Sequence, residues 1–299
     1  MSPTTERSEA TTVPTPTTLQ IEDCDVEYVD ARPDEGDGSR TPIVLVHAGV
    51  FGSWFDPLAA TAALSPYRII RMRRAGYTGS PTPQRPVSIA EHAGHVAEVI
   101  RATGIERAHV VGHSSGSAIA LQLAVDHPDL VGGLVLSEPP LVDALVHPDD
   151  LAAITDAIGP VIGAAIAAAA EGDVDSAFDT FMKAVCGPEY ADVLRAALGR
   201  DGLERARADA GFFFSNEIMA MAAWQFDAEL ATSVTAPMLL VRGGDSPPVV
   251  HRLVGCLAAM VPGAVTATVP ADDHLLPLRS PDVLAELVAE FVRAHPLTA

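Results

Sequence analysis

The feature that most constrains this fold is a serine between two glycines, in the sequence GHSSG at residues 112–116. The apolar run HVV at 109–111 predicts a buried strand before it, and the alanine-rich segment after it predicts a helix that ends near 127–128. A G-x-S-x-G turn between a strand and a helix has the pattern of a nucleophile elbow, where a strained backbone admits only glycine at the flanks. The hydroxyl of Ser114 is therefore predicted to project above a sheet, at a helix N-terminus that favours developing negative charge.

Buried-strand runs alternate with helical patterns on both sides of this turn. An opening segment at 19–29 alternates apolar and polar residues, which predicts an antiparallel hairpin. The other predicted strands are 43–46, 68–72, 109–111, 134–136, 238–241 and 265–269, and predicted helices lie at about 53–64, 88–104, 249–261 and 281–293. Ser88 and Glu91 have capping-box spacing at the start of the second of these helices. The alternation indicates a doubly wound, mostly parallel α/β sheet, with functional residues at the carboxyl ends of the strands.

Residues 141–235 interrupt this alternation with successive alanine-rich helical patterns and no buried-strand run. We predict that they form a helical cap, inserted into a core made of residues 19–140 and 236–299. Residues 1–18 are rich in Ser, Thr and Pro, which predicts a disordered tail that is neither a signal peptide nor an anchor. The most hydrophobic stretch, 157–170, is too short to span a bilayer and contains Pro160, so no membrane association is expected.

Charge and cysteine content narrow the range of partners. Lys and Arg total 19 against 39 Asp and Glu, a formal charge of −20, and a small basic group at 71–74 is the only local one, so a nucleic-acid partner is not expected. Cys24, Cys186 and Cys256 are far apart and lack metal-ligand spacing, which predicts reduced core thiols in a cytoplasmic protein. No metal site is expected at His92 and His95, which lie on a helix away from the strand ends.

Together these motifs resemble an α/β-hydrolase with a helical cap, over residues 19 to about 295. The resemblance rests on the elbow, the HAG turn at 47–49 after the third strand, the loop 74–80 and a late histidine, His274. It implies a serine hydrolase without a cofactor, in which Ser114 is the nucleophile and His274 the base. It also implies an oxyanion hole made of the backbone N–H groups of Ser115 and Gly49. Ala48 replaces a common glycine of the family, which leaves Gly49 and Val50 as alternatives for the second donor.

The carboxylate that orients the histidine is ambiguous in this sequence. The usual loop after the seventh strand reads GGDSP at 243–247, so Ser246 holds the expected acid position and Asp245 comes one residue early. Glu138 ends the sixth strand, where some members of the family place the acid, and Pro139-Pro140 follow it and stiffen the backbone. A glutamate at the end of so apolar a strand needs a partner to offset its burial. We favour Glu138, with Asp245 as the alternative acid, and this layout is similar to that of zearalenone-type lactonases.

Other polar residues near the predicted site are expected to be structural. His47 should be a hydrogen-bonded scaffold residue, and the side chain of His113 should point away from that of Ser114. Asp272 and Asp273 are expected to be loop charges that do not bond the ring of His274.

A small-molecule pocket is predicted over Ser114. Val50, Trp54, Phe55, Pro139 and Trp224 are the candidate wall residues. Further aromatic and methionine side chains of the cap are candidates as well: Phe178, Phe181, Met182, Phe212, Phe213, Phe214, Met219, Met221 and Phe226. The basic residues near strand ends are few (Arg73, Arg74 and Arg242), which favours a neutral ester or lactone substrate over an anionic one.

Three other functions share this pattern. A C–C bond hydrolase or a cofactor-free perhydrolase would use the same three residue types, and a non-catalytic small-molecule receptor could be built on the same scaffold. The sequence leaves the choice among them open, and it leaves the oligomeric state open as well.

Overall fold

Eight strands form one sheet in the computed structural model, which describes residues 15–33, 41–140 and 147–297, in the spatial order β1-β2-β4-β3-β5-β6-β7-β8. The strands are β1 Thr17–Ile21, β2 Cys24–Ala31, β3 Pro42–Val46, β4 Arg68–Arg73, β5 Ala108–His113, β6 Val131–Ser137, β7 Met238–Gly243 and β8 Val265–Val269. The hairpin β1–β2 pairs antiparallel with itself and with β4, and every pair from β4 to β8 is parallel. The predicted doubly wound sheet is confirmed. Residues 1–14 of the predicted tail lie outside the described residues, and β1 begins two residues before the predicted start of the core.

Helices cover both faces of the sheet. These helices are α1 Asp56–Ala59, α2 Ile89–Ala102, α3 Ser115–Asp126, α10 Pro248–Met260, α11 Leu276–Arg279 and α12 Pro281–Ala294. Because both faces are covered, every residue of the central strands β5 and β6 is buried, and neither strand alternates apolar and polar residues. The predicted capping box of α2 is present, with the N–H of Glu91 donating to Ser88 Oγ and the N–H of Ser88 donating to the Glu91 carboxylate.

The helix predicted at about 53–64 is wrong in its length. The chain forms only the four-residue α1 and a short 3-10 turn at Ala62–Leu64. Thr61 between them has an extended backbone, with ψ at 148°, which ends the first turn. Pro57 lies in the first turn of α1, where its missing N–H costs no helical bond.

All the elements described between β6 and β7 are helical, and we refer to this segment, at 148–233, as the cap. They are α4 Pro148–Ala170, α5 Val174–Cys186, α6 Tyr190–Leu198, α7 Arg200–Phe212, a π-helical segment Phe213–Glu217, α8 Ile218–Ala223 and α9 Ala228–Ser233. The buried apolar residues of α4 to α7 and the π-helical segment pack mostly in a separate cluster with Val50, Phe51, Trp54 and Leu275 of the core, whereas Ala231 of α9 packs in the main core cluster. Within the ranges that the structure describes, no helix is both long and apolar enough to cross a membrane.

Candidate active site

Ser114 lies at the junction of β5 and α3 with a strained backbone, as its sequence context predicts. Its φ and ψ are 50° and −124°, a backbone conformation that residues other than glycine rarely adopt. A Cβ on Gly112 would lie 2.6 Å from the carbonyl oxygen of Gly116, and a Cβ on Gly116 would collide with the carbonyl oxygens of Val46 and His47. The two glycines are therefore required by the close approach of β3, β5 and α3.

The structure brings His274 and Glu138 together. Nδ1 of His274 lies 3.6 Å from Oε2 of Glu138, and the Glu138 side chain is 1% exposed. Glu138 directly follows β6 with φ at 47°, a second strained position at the strand ends. Asp245, the alternative acid, is exposed, and its side chain forms no hydrogen bond or ion pair with any residue that the structure describes.

Two hydrogen-bond donors and the ring of His274 face the Glu138 carboxylate. Its Oε1 accepts from the backbone N–H of Gly243 at 2.7 Å and from the hydroxyl of Ser246 at 2.8 Å, while His274 faces Oε2. Burial alone would raise the pKa of Glu138, but His274, Gly243 and Ser246 together hold it below the usual value, so the carboxyl is ionised at neutral pH. Ser246, at the position where the acid was expected, thus donates a hydrogen bond to Glu138, which follows the neighbouring strand β6.

The ring of His113 packs against that of the candidate base, His274, a contact that the sequence analysis did not predict. The ring centroids of His113 and His274 are 4.8 Å apart, and Trp54 lies 4.8 Å from His113 on another side. Nδ1 of His113 lies 3.1 Å from the backbone oxygen of Ser137. Burial, and then the nearby His274, hold the pKa of His113 well below its usual value. His113 therefore stays neutral and adds no positive charge beside His274.

Backbone N–H groups of Gly49, Val50 and Ser115 are candidate oxyanion donors. In the described ranges none of the three donates to a protein acceptor, although all three residues are buried and line one cavity with Ser114. The carbonyl of Gly49 accepts from Trp54 Nε1 at 2.8 Å and from the N–H of Phe51 at 2.9 Å, which fixes the loop. The hydroxyl of Ser114 forms no hydrogen bond with a described residue, and such contacts often form only when substrate binds.

The cavity over Ser114 has a volume of about 600 Å³ and is lined mostly by apolar side chains. Four of the five predicted wall residues line it: Val50, Trp54, Pro139 and Trp224. Phe55 does not, because it packs in the core between the sheet and α12. Of the cap candidates, Phe181, Met182, Phe213, Met221 and Phe226 line the cavity. Phe178, Phe212 and Phe214 are buried elsewhere, and Met219 is 62% exposed.

A profile of the alpha/beta hydrolase family matches residues 43–287, most of the chain. The protein belongs to the alpha/beta hydrolase family. Curated relatives include the acetyltransferase component of an acetoin cleaving system from Cupriavidus necator, 34% identical over 38% of this chain and 31% of its own. They also include "Putative carbamate hydrolase RutD" from Enterobacter cloacae, 36% identical over 36% of this chain and 40% of its own. The chain thus matches well under half the length of these relatives.

Solved structures of hydrolases share this fold along nearly the whole chain. An enol-lactonase from Burkholderia xenovorans LB400 aligns with a TM-score of 0.74 at 18% identity, covering 93% of this chain and all of its own. Est816, described as an N-acyl homoserine lactone degrading enzyme, aligns with a TM-score of 0.63 at 22% identity over 92% of this chain and all of its own. At these identities the likeness shows the fold alone.

The arginines near the strand ends of this hydrolase do not line its cavity. Arg73 pairs with Asp56, and Arg242 donates to Thr268 and to the backbone of His251. Arg74 is fully buried. No Lys or Arg is among the described residues that line the cavity, so an anionic substrate would find no lysine or arginine partner among them.

Asp272 is buried rather than solvated, which corrects the expectation that it is a loop charge. Its side chain is 1% exposed, and burial raises the pKa of this carboxyl. Its backbone oxygen accepts from the N–H of Asp245 at 2.8 Å, so the residue joins the loop after β7 to the loop that carries His274. Asp273 accepts from the N–H of Leu275 at 2.8 Å and faces Arg279. The loop turns inward before α11, and this places Asp272 beneath the surface.

Sequence reasoning missed three buried polar residues of the cap, Asp209, Asn216 and Glu217. Asp209 accepts from the N–H groups of Gly52 and Thr78, at 3.0 and 2.9 Å. Asn216 bonds both backbone groups of Val87. The one signal in the sequence is that Asn216 and Glu217 lie only two and three residues after the aromatic run at 212–214, whose side chains are buried. Their partners are more than 100 residues away.

Proposed function

We propose that this protein is a serine hydrolase that cleaves a neutral carboxylic ester or lactone through an acyl-enzyme. The observation that carries the proposal is that Ser114, at a strained elbow, opens into the same apolar cavity as His274, whose Nδ1 faces the buried Glu138. Relatives described as carbamate hydrolases and neighbours described as lactonases support an acyl-transfer reaction.

In the proposed reaction Ser114 Oγ attacks the substrate carbonyl while His274 takes its proton, and Glu138 stabilises the imidazolium that forms. The N–H of Ser115 and that of Gly49 or Val50 hold the oxyanion. His274 then protonates the leaving alkoxide, which departs from an ester but stays tethered in a lactone. Water, deprotonated by His274, attacks the acyl-enzyme and frees Ser114 and the carboxylic acid.

Substrate charge and size follow from the cavity. Its volume of about 600 Å³ and its lack of Lys and Arg among the described lining residues favour a neutral, largely apolar molecule. A carboxylate on the substrate would meet Glu138 and apolar walls, with no cation to offset its lost hydration.

A fluorophosphonate probe and p-nitrophenyl esters of increasing chain length test the proposal. We expect stoichiometric labelling at Ser114 in the wild type, ester turnover, and loss of both in Ser114→Ala. A panel of neutral lactones and an anionic ester then tests the substrate class. A folded wild type that the probe does not label would overturn the proposal and favour a receptor built on a hydrolase scaffold.

A further inference from the structure

A carboxylate of the cap lies fully buried against the residue that follows the elbow serine. Glu217 ends the π-helical segment and is 0% exposed. Its Oε1 accepts from Ser115 Oγ at 2.5 Å and from Arg74 Nη2 at 3.0 Å, and its Oε2 accepts from the hydroxyl of Tyr77. Short π-helical segments occur frequently at functional sites, because the wider turn re-aims a side chain.

The π-helical segment also packs beside Gly49, on the other side of the candidate oxyanion hole. A Cβ on Gly49 would lie 2.6 Å from the ring of Phe213 and 3.0 Å from Glu217 Oε1, so only glycine fits there. Glu217 therefore accepts from the hydroxyl of Ser115 and lies close to the loop that carries Gly49. These residues supply the backbone N–H groups that have no protein acceptor in the described part of the chain.

The charge of Glu217 is balanced locally. Arg74 is 0% exposed like its partner, and its guanidinium lies 4.8 Å from the centre of the Tyr77 ring. A buried carboxylate without this arginine would oppose negative charge that develops nearby. Buried ion pairs rarely add net stability over an apolar pair of the same size, so stability alone is a weak reason to bury this one.

We infer that Glu217 is a positioning residue, which holds Ser115 so that its backbone N–H points at the developing oxyanion. The Ser115 hydroxyl makes this positioning possible, because its hydrogen bond to Glu217 connects the first residue of α3 to the cap. Arg74 keeps the carboxylate neutralised while it does so. This inference rests on the proposed function, since it assigns a role only in a reaction with an oxyanion.

Ser115→Ala is the sharpest test, because it removes the hydroxyl, keeps the backbone N–H and leaves the Arg74–Glu217 pair intact. We expect kcat to fall about 10-fold with KM unchanged, less than the roughly 10²–10³-fold loss when an oxyanion donor is removed altogether. Affinity for phenylboronic acid, which forms a tetrahedral anion on Ser114, should fall by the same factor as kcat. Glu217→Gln should lower kcat and boronate affinity at least as much as Ser115→Ala does. The variant that combines the two substitutions should lose less kcat than the product of the two single losses.

Asn216→Ala is the matched control. Asn216 precedes Glu217 in the same segment and also ties the cap to the core, but it bonds Val87 rather than Ser115. We expect a lower Tm with kcat and boronate affinity unchanged. A purely structural role for Glu217 would make the Glu217 and Asn216 variants alike.

The outcomes separate this inference from the proposed function. Turnover in the wild type together with wild-type kcat and boronate affinity in Ser115→Ala would overturn the inference alone. Should Glu217→Gln fail to fold because Arg74 is left unpaired, Ser115→Ala still decides. Absence of probe labelling at Ser114 in the wild type would overturn the proposed function, and the inference with it.

Discussion

The two sides of the cavity are built by different chemistry. On the core side, polar groups at the strand ends are buried and partnered: Glu138 accepts from Gly243 and Ser246 and faces His274, and the loop at Gly49 is fixed by Trp54 and Phe51. On the cap side, α4 presents Leu151, Ile158 and Ile162 to the same space. Polar groups need fixed directions, whereas apolar contacts depend on shape and area. Substitutions on the core side should therefore change the rate for every substrate, and those on α4 should change which substrates fit.

The largest expected effect is at the acid. Glu138→Gln should lower kcat by roughly 10³–10⁴-fold for every ester tested, because the imidazolium of His274 loses its partner. This is about 4–5.5 kcal/mol of transition-state stabilisation. Asp245→Asn, at an exposed side chain, should change kcat only a few-fold. Steady-state kinetics on both variants, with folding checked by circular dichroism, makes the comparison, and the reverse ranking would assign the acid to the loop after β7.

Acid should destabilise the core rather than the cap. His47, His92 and His113 are fully buried, and burial holds the pKa of each well below the usual value near 6.5. The unfolded chain therefore binds protons that the folded chain does not, and stability falls as the pH drops below 6.5. Each such proton adds about 1.4 kcal/mol per pH unit to the slope of the free energy of unfolding against pH. Three of them add roughly 4 kcal/mol per pH unit. No histidine lies at 148–233.

Urea unfolding at pH 7, 6 and 5 measures that slope. His92→Met, away from Ser114, should reduce it by about one proton's worth, roughly 1.4 kcal/mol per pH unit. The exposed His147 supplies the matched control, and His147→Gln should leave the slope as it is. A slope that His92→Met does not change would place the acid sensitivity elsewhere in the molecule.

On the cap side, Gly159 of α4 tests the role of shape. It lines the cavity, and a Cβ there would meet only the Thr155 methyl carbon, at 3.8 Å, so a larger side chain fits by filling cavity volume. We expect Gly159→Leu to lower kcat/KM for long-chain esters about 10-fold, or ~1.4 kcal/mol, and to spare acetate esters. Gly163, one turn further along α4, is exposed and does not line the cavity, so Gly163→Leu should leave the chain-length profile unchanged. Equal losses for short and long esters would contradict this division.

The smallest effect is expected at Ser246. Ser246→Ala removes one of the two hydrogen bonds to Glu138 and leaves the one from Gly243 and the contact with His274. We expect kcat to fall about 5-fold, or ~1 kcal/mol, because one bond to a charged carboxylate is lost. The pH profile of kcat/KM should keep its shape, since His274 retains its carboxylate. A loss comparable to that in Glu138→Gln would mean that Ser246 acts on the base more directly than its contacts indicate.

The sequence by itself determined the strands, the elbow and the hydrolase fold. Strand β3 is an almost unbroken apolar run because both faces of the sheet are covered, and this pattern is local in the chain. Ser114 was found because its two glycine neighbours are a steric requirement of one short turn. His274 was predicted as the base because it is the late histidine in the order of motifs that the hydrolase family has. The short α1 was missed, because the turn at Thr61 has no strong breaker in the sequence.

Only the tertiary structure decided which side chains meet. Glu138 and Asp245 were both candidate acids by sequence, and the register of β6 beside β7 brings Glu138, not Asp245, to His274 and gives it Ser246 as a donor. Glu217 reaches Ser115 across 102 residues of chain, and no periodicity or spacing encodes such a contact. A local pattern reports which side of an element is buried. The partner of a buried polar group depends on how distant elements pack, and that is a property of the whole fold.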